Sequence, residues 1–135
     1  MRADGSKYSD HALQMAATYL DAWPKAQLYV LYVTAKESYA YDFIPEVVDR
    51  AEKKITKQIK QEIDISLANF TNDIHFIHRT GHPSTTICNT AEEKHADLII
   101  VGSHGRGIID RALLGSVAHG VLQRSKTPVL VVKQA

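Results

Sequence analysis

Apolar residues Ala12, Leu13, Ala16, Ala17 and Leu20 recur at spacings of three and four from Tyr8 onward, and Pro24 ends the pattern. That is the stripe of an amphipathic helix. The next apolar run, Leu28-Tyr29-Val30-Leu31-Tyr32-Val33, does not alternate with polar residues. A short run rich in β-branched and aromatic side chains fits a parallel strand buried on both faces. After a loop through Tyr39-Ala40-Tyr41-Asp42, Pro45 suits a first helical position, and Val48, Ala51, Ile55, Ile59, Ile63 and Leu67 mark one face of a long helix. Its opposite face sets Glu46 one turn from Arg50 and Asp49 one turn from Lys53, as a solvated surface does. The pattern then predicts a strand over residues 74–79, a helix over 83–94, a strand over 98–101, a helix from Gly115 to about Arg124 and a strand over Val129–Val132.

Strand and helix alternate throughout. Such alternation implies crossover units with right-handed connections, and hence a mostly parallel sheet layered by helices. At the front, only Met1, Arg2 and Ala3 precede the turn-like group Asp4-Gly5-Ser6 that leads into the first helix. A first strand there is short or truncated.

The 135 residues suit one domain spanning 1–135, and 44% hydrophobic with 23% charged residues is an ordinary globular balance. Lys plus Arg (16) nearly match Asp plus Glu (15), so no broad field favours nucleic acid or an anionic membrane as partner. No apolar run approaches the roughly 20 residues that cross a bilayer. A single cysteine, Cys88, and the lack of a secretory pattern at the front make the cytoplasm the expected compartment.

Chemistry concentrates in "VGSHGRGIIDRALLGSV", Val101 to Val117, which follows a strand and precedes a helix. It therefore lies at the carboxyl edge of the sheet, where open α/β folds bind ligands. Gly102, Gly105 and Gly107 permit close backbone approach and dihedrals that a side chain forbids, and successive N–H groups can form an anion nest. Gly115-Ser116 opens a helix whose first N–H groups are unpaired and whose dipole end is positive. A Walker loop is excluded because no Lys-Ser/Thr follows a glycine at the required spacing. A dinucleotide fingerprint is disfavoured because Gly105-Arg106-Gly107 continues as Ile108-Ile109-Asp110, without the third glycine.

The spacing that is present, Gly102-x2-Gly105-x9-Gly115-Ser116, resembles the signature of the ATP-binding branch of the universal stress protein family. The resemblance extends through Asp4-Gly5-Ser6, "GHPSTTI" (81–87), "ADLIIVGSHGRG" (96–107) and "LLGSVAHGVLQRSKTPVLVVK" (113–133). It implies an open five-stranded parallel sheet of order 3-2-1-4-5 with helices on both faces. In that order strands 1 and 4 meet at the switch point, so Asp4 would end strand 1 and Gly102 strand 4. Ala3 and Asp4 would then lie beside adenine and ribose, and Val33 would touch the base. The amides around Gly102, His104, Gly105, Arg106, Gly115, Ser116 and Val117 would surround ribose and phosphates, with the Arg106 guanidinium offering paired donors. A Mg²⁺ or Mn²⁺ would be held through the phosphates, keeping several waters. The resemblance also implies a homodimer joined through the last strand, Val129, Leu130, Val131 and Val132. Pro128 suits the start of such an edge strand, and an apolar edge needs a partner.

Other candidates carry less. Ser116 alone would be a helix cap, and Asp4 a turn residue. His104 is expected to contribute backbone. His75 and His78, three apart in one strand, point to opposite faces, and the scattered His11, His82, His95 and His119 complete no ligand set, so no protein-only metal site is expected. Cys88 falls in a helix as a small hydrophobe. Tyr39 and Tyr41 either cover the base or pack on the surface. No carboxylate or base suited to phosphoryl transfer stands out, so no catalytic residue is assigned. The expected function is binding of ATP as a regulatory ligand in the stress response, with slow or no hydrolysis. Two alternatives stay open: a slow ATP-cleaving or phosphoryl-transferring enzyme, and a nucleotide-independent dimeric interaction module.

Overall fold

A computed structural model describes residues 7–35, 45–104 and 114–133. The elements, in chain order, are α1 (Lys7–Ala22), β1 (Gln27–Thr34), α2 (Pro45–Ser66), β2 (Asp73–Thr80), α3 (Pro83–Glu93), β3 (Ile99–Gly102), α4 (Ser116–Arg124) and β4 (Val129–Val132). Each predicted element from the first helix onward is present within a residue or two of its expected bounds. Boundary shifts of this size are normal, because helix and strand ends fray.

Both strand pairings are parallel. β1 runs beside β2 from Gln27↔Asp73 to Thr34↔Thr80, and β3 beside β4 from Ile99↔Val129 to Gly102↔Val132. Among the described residues the strands therefore form two two-stranded sheets in place of the expected continuous five. The two observed pairs are neighbours in the order 3-2-1-4-5. The expected first strand, at Met1, Arg2, Ala3 and Asp4, lies outside the described residues.

Helices cover both sides of the strands. On one side Leu20 of α1 and Ile59, Ile63 and Leu67 around α2 enclose Val30, while Ala12 and Ala16 of α1 cluster with Ile100 and Val132. The small alanines let α1 lie close to β3. On the other side Ile87, Cys88 and Ala91 of α3 and Ala118 and Val121 of α4 pack with Leu31, Val33, Ile99 and Val101. Successive residues of β1 thus go to opposite helical layers, which is why the run carries no polar alternation. Burial raises the Cys88 thiol pKa above its ordinary value, in keeping with a small core hydrophobe.

The α2 stripe is shorter than its pattern. Ile59, Ile63 and Leu67 are buried, whereas Ala51 is exposed and Ile55 is 39% exposed. At about 1.5 Å per residue α2 is about 33 Å long, and β1 at about 3.3 Å per residue is about 26 Å. The helix outruns its strand, so its first turns have less surface to pack on. On the outer face Lys53 pairs with Asp49 at 3.4 Å, as the charge spacing predicts.

Two polar devices fix the frame. Asn72 turns its amide nitrogen toward the carbonyls of Trp23, Pro24 and Ala26, each at 3.1 Å, tying the α1–β1 turn to the start of β2. Arg79 on β2 reaches Glu93 at 2.6 Å and Thr90 at 3.1 Å on α3, and this contact holds the Glu93 carboxyl below its usual pKa.

Helices α3 and α4 meet where Gly120 faces Ser84. A Cβ at Gly120 would stand 2.7 Å from both Cβ and Oγ of Ser84. Gly120→Ala should therefore destabilise the protein by about 1 kcal/mol net, overpacking of about 1–3 kcal/mol exceeding a helix-propensity gain of about 1 kcal/mol. In a Ser84→Gly background the same change should become stabilising. Urea denaturation of the four proteins checks the change of sign.

Candidate functional site

Of the residues that sequence spacing singled out, Val33, Gly102 and His104 lie at or just beyond the carboxyl ends of the strands. β1 ends at Thr34 and β3 at Gly102, and their penultimate residues Val33 and Val101 share one apolar cluster. Val33 is only 4% exposed, with its side chain in the core. It lies at the expected end of the sheet, and a ligand there would meet mainly its backbone.

Beyond Gly102 the chain turns inward. Ser103 and His104 are both buried, and Ser103 Oγ lies 3.0 Å from His104 Nδ1. The backbone of Ser103 is bonded in both directions: its N–H donates to the Val132 carbonyl at 2.9 Å, and its carbonyl accepts from the Gly115 N–H at 2.7 Å. Thirteen positions apart in sequence, Gly102 and Gly115 are thereby drawn to the same place.

Gly115 is the cap of α4, with φ −62° and ψ 153° and no side-chain capping bond. Ser116 is the first helical residue and exposed, so it is not the cap that its residue type suggests; extended geometry at Gly115 already turns the chain into the helix. Val117 packs, half-buried, against the α3–α4 core cluster. The first-turn N–H groups of α4 have no intrahelical acceptors and sit at the positive end of its dipole. Close approach, not backbone dihedral, is what a glycine contributes here. Among the described residues Gly81 is the only glycine with positive φ, at 157°, so neither Gly102 nor Gly115 needs a conformation closed to side chains. Gly105, Gly107 and Arg106, and likewise Ala3, Asp4, Tyr39 and Tyr41, lie outside the described residues.

A second polar group sits at the carboxyl end of β1 and β2. His78 Nε2 is 2.8 Å from Thr34 Oγ1 and 3.4 Å from Glu52 Oε1, and Thr80 Oγ1 donates to Glu52 Oε1 at 3.2 Å. His75 lies on the other side, stacked on Tyr29 at 5.2 Å, as the odd spacing of the two histidines requires. At the start of α3, Arg124 Nη1 donates to Ser84 Oγ at 2.7 Å and Thr85 Oγ1 at 3.1 Å. Among the described residues no three His, Cys, Asp or Glu side chains gather as a metal site.

Sequence spacing missed Ser103 and the Thr34–His78–Glu52 contact. The first had a signal, a serine between Gly102 and His104, but its role is carried by backbone, which residue type does not reveal. The second joins residues from β1, α2 and β2 that no local motif connects. His11, which completes no ligand set in the sequence, buries Nδ1 in the second turn of α1 with no hydrogen-bond partner among the described residues.

What the arrangement can do chemically is hold an anion against backbone N–H groups at the α4 end, beside a strand terminus. Known proteins share the fold. The family model described as "Universal stress protein family" matches residues 3–133. The universal stress protein YxiE of Bacillus subtilis is 33% identical over 140 residues, covering 96% of this chain and 94% of its own. Among solved structures, the protein MJ0577 superposes with TM-score 0.83 at 28% identity, over 99% of this chain and 93% of that one. A universal stress protein in complex with cAMP superposes with TM-score 0.69 at 28% identity, over 100% and 94%. With its α/β fold and a match over nearly its entire length, the chain belongs to the universal stress protein family.

Proposed function

We propose that this protein binds ATP, or another adenine nucleotide, as a regulatory ligand, with slow or no hydrolysis. The observation that carries the reading is the Ser103 bracket, which sets the end of β3 against the amino end of α4. Close backbone approach at Gly102 and Gly115 then coincides with a positive helix end, the combination that receives phosphate. A related structure holds cAMP, which supports an adenine nucleotide as the ligand class. The expected contacts are Ala3 and Asp4 to adenine and ribose, the Val33 backbone to the base, and Gly102, His104, Gly105, Arg106, Gly115, Ser116 and Val117 to ribose and phosphates.

A divalent cation, Mg²⁺ or Mn²⁺, would enter with the nucleotide. Among the described residues no ready-made ligand cluster exists, so phosphate oxygens and water would supply its donors. Its chemistry would be neutralisation of phosphate charge, which lets the α4 amides and Arg106 share the remainder. Nucleotide occupancy would bias the conformation of the β3–α4 connection only as far as ATP binds one conformation better than the other.

The protein is further proposed to act as a homodimer through Val129–Val132. β4 pairs with β3 along one edge, and Val129, Leu130 and Val131 remain half-buried within the described chain. A second copy pairing along the other edge would cover an apolar strand that otherwise invites aggregation.

Two outcomes are expected. Titration calorimetry with Mg-ATP should give saturable binding, and Gly115→Val should weaken it at least tenfold by placing a branched side chain where phosphate approaches; absence of heat with the unaltered protein rejects nucleotide binding. Light scattering at micromolar concentration should give twice the 15.0 kDa chain mass. Val131→Lys should shift that mass toward the monomer.

A further inference from the structure

Ser103 and His104 fill the two positions that the spacing Gly102-x2-Gly105 leaves open. They are 2% and 9% exposed, and Ser103 Oγ stands 3.0 Å from His104 Nδ1. Consecutive side chains of an extended strand point to opposite faces, so these two meet only because the chain leaves strand geometry just past Gly102, where β3 ends. Burying two polar side chains is costly unless they are bonded, and an apolar pair would fill the space without that cost. What the hydrogen bond adds is direction.

The direction matters because of the peptide that the bond spans. Gly115 N–H donates at 2.7 Å to the carbonyl of Ser103, which belongs to the peptide between Ser103 and His104. A peptide is a rigid plane, so that carbonyl changes its aim only by rotation about the bonds to the two flanking Cα atoms. The Oγ–Nδ1 contact joins the side chains on those same two atoms and closes a small ring across the plane. We infer that Ser103 and His104 are positioning residues for phosphate: their side-chain bond holds the carbonyl of Ser103 on Gly115 and thereby sets the first turn of α4 against the end of β3.

This inference rests on the proposed nucleotide site and assigns the phosphate half of it to the pair. Gly115 N–H is taken up by Ser103, so the donors left for phosphate are the first-turn amides that follow, those of Ser116 and Val117. The base contact proposed at Val33 lies on β1, outside this bond. The pair should therefore act on phosphate and leave the nucleoside unaffected. A nucleophile with its base would show the same Ser–His distance, but at 2% exposed Ser103 gives a substrate no access to its hydroxyl.

The test compares Ser103→Ala and Ser103→Thr in the full chain, by titration calorimetry with Mg-ATP and with adenosine. Ser103→Ala should weaken Mg-ATP at least tenfold and adenosine less than twofold. Ser103→Thr, which keeps a hydroxyl, should restore Mg-ATP to within threefold of the unaltered chain. Without ligand, amide exchange at Gly115 should be at least tenfold faster in Ser103→Ala than in the unaltered chain or in Ser103→Thr. Should Ser103→Ala fail to fold, Ser103→Val against Ser103→Thr, alike in shape and different by the hydroxyl, carries the same readings. Equal loss of Mg-ATP and adenosine, undiminished Mg-ATP affinity, Ser103→Thr as weak as Ser103→Ala, or unchanged exchange at Gly115 would each overturn the inference. If the unaltered chain binds no Mg-ATP, the nucleotide reading falls by itself, and exchange at Gly115 still decides whether the pair sets the amino end of α4.

Discussion

Ser103 is bonded through its backbone on both sides, to Val132 at the end of β4 and to Gly115 at the start of α4. The β3–α4 side of the carboxyl edge depends on this bracket. Without it the β3–α4 connection would be a long flexible loop, and ordering such a loop costs entropy that a ligand would have to supply on binding. With it, the connection is closed at its base before any ligand arrives. The buried Ser103–His104 side-chain contact at 3.0 Å adds a second reason for the chain to turn inward here.

The bracket holds only because β3 and β4 are themselves fixed. Their pairing is four residues long, and its stability comes from cover on two sides, by Ala12 and Ala16 of α1 and by Ala118 and Val121 of α4. β1 and β2 are longer and carry their own cover in α2. The two pairs share the cluster that joins Leu31 and Val33 with Ile99 and Val101, so packing holds them together where strand pairing does not run continuously among the described residues. Packing is less directional than a hydrogen-bonded ladder.

Much of the fold was legible in the chain, for reasons tied to particular elements. The unbroken run Leu28 to Val33 announced a strand with two covered faces, and Val30 against Leu31 shows those two faces. Legibility failed where one element's surroundings decided the outcome. The α2 stripe continued to Ala51 and Ile55, but a helix longer than its strand cannot bury its whole apolar face. Ser116 has the residue type of a cap, and Gly115 holds that place, because extended backbone at Gly115 rather than a hydroxyl turns the chain. The order 3-2-1-4-5 is matched at its two outer pairs, while its central strand falls outside the described residues.

For the candidate site, sequence by itself determined the composition of the β3–α4 connection: glycines at Gly102 and Gly115, a helix start after the second, and no lysine or third glycine that would make it a Walker or dinucleotide loop. Those are statements about residue type and spacing, and one-dimensional periodicity carries them. Tertiary structure decided which of these residues meet. That Gly115 returns to Ser103 and that Thr34, Glu52 and His78 converge from three elements both follow from contacts between distant segments. Such contacts depend on how helices of fixed length cover strands of fixed length, a constraint that exists only once the layers are assembled.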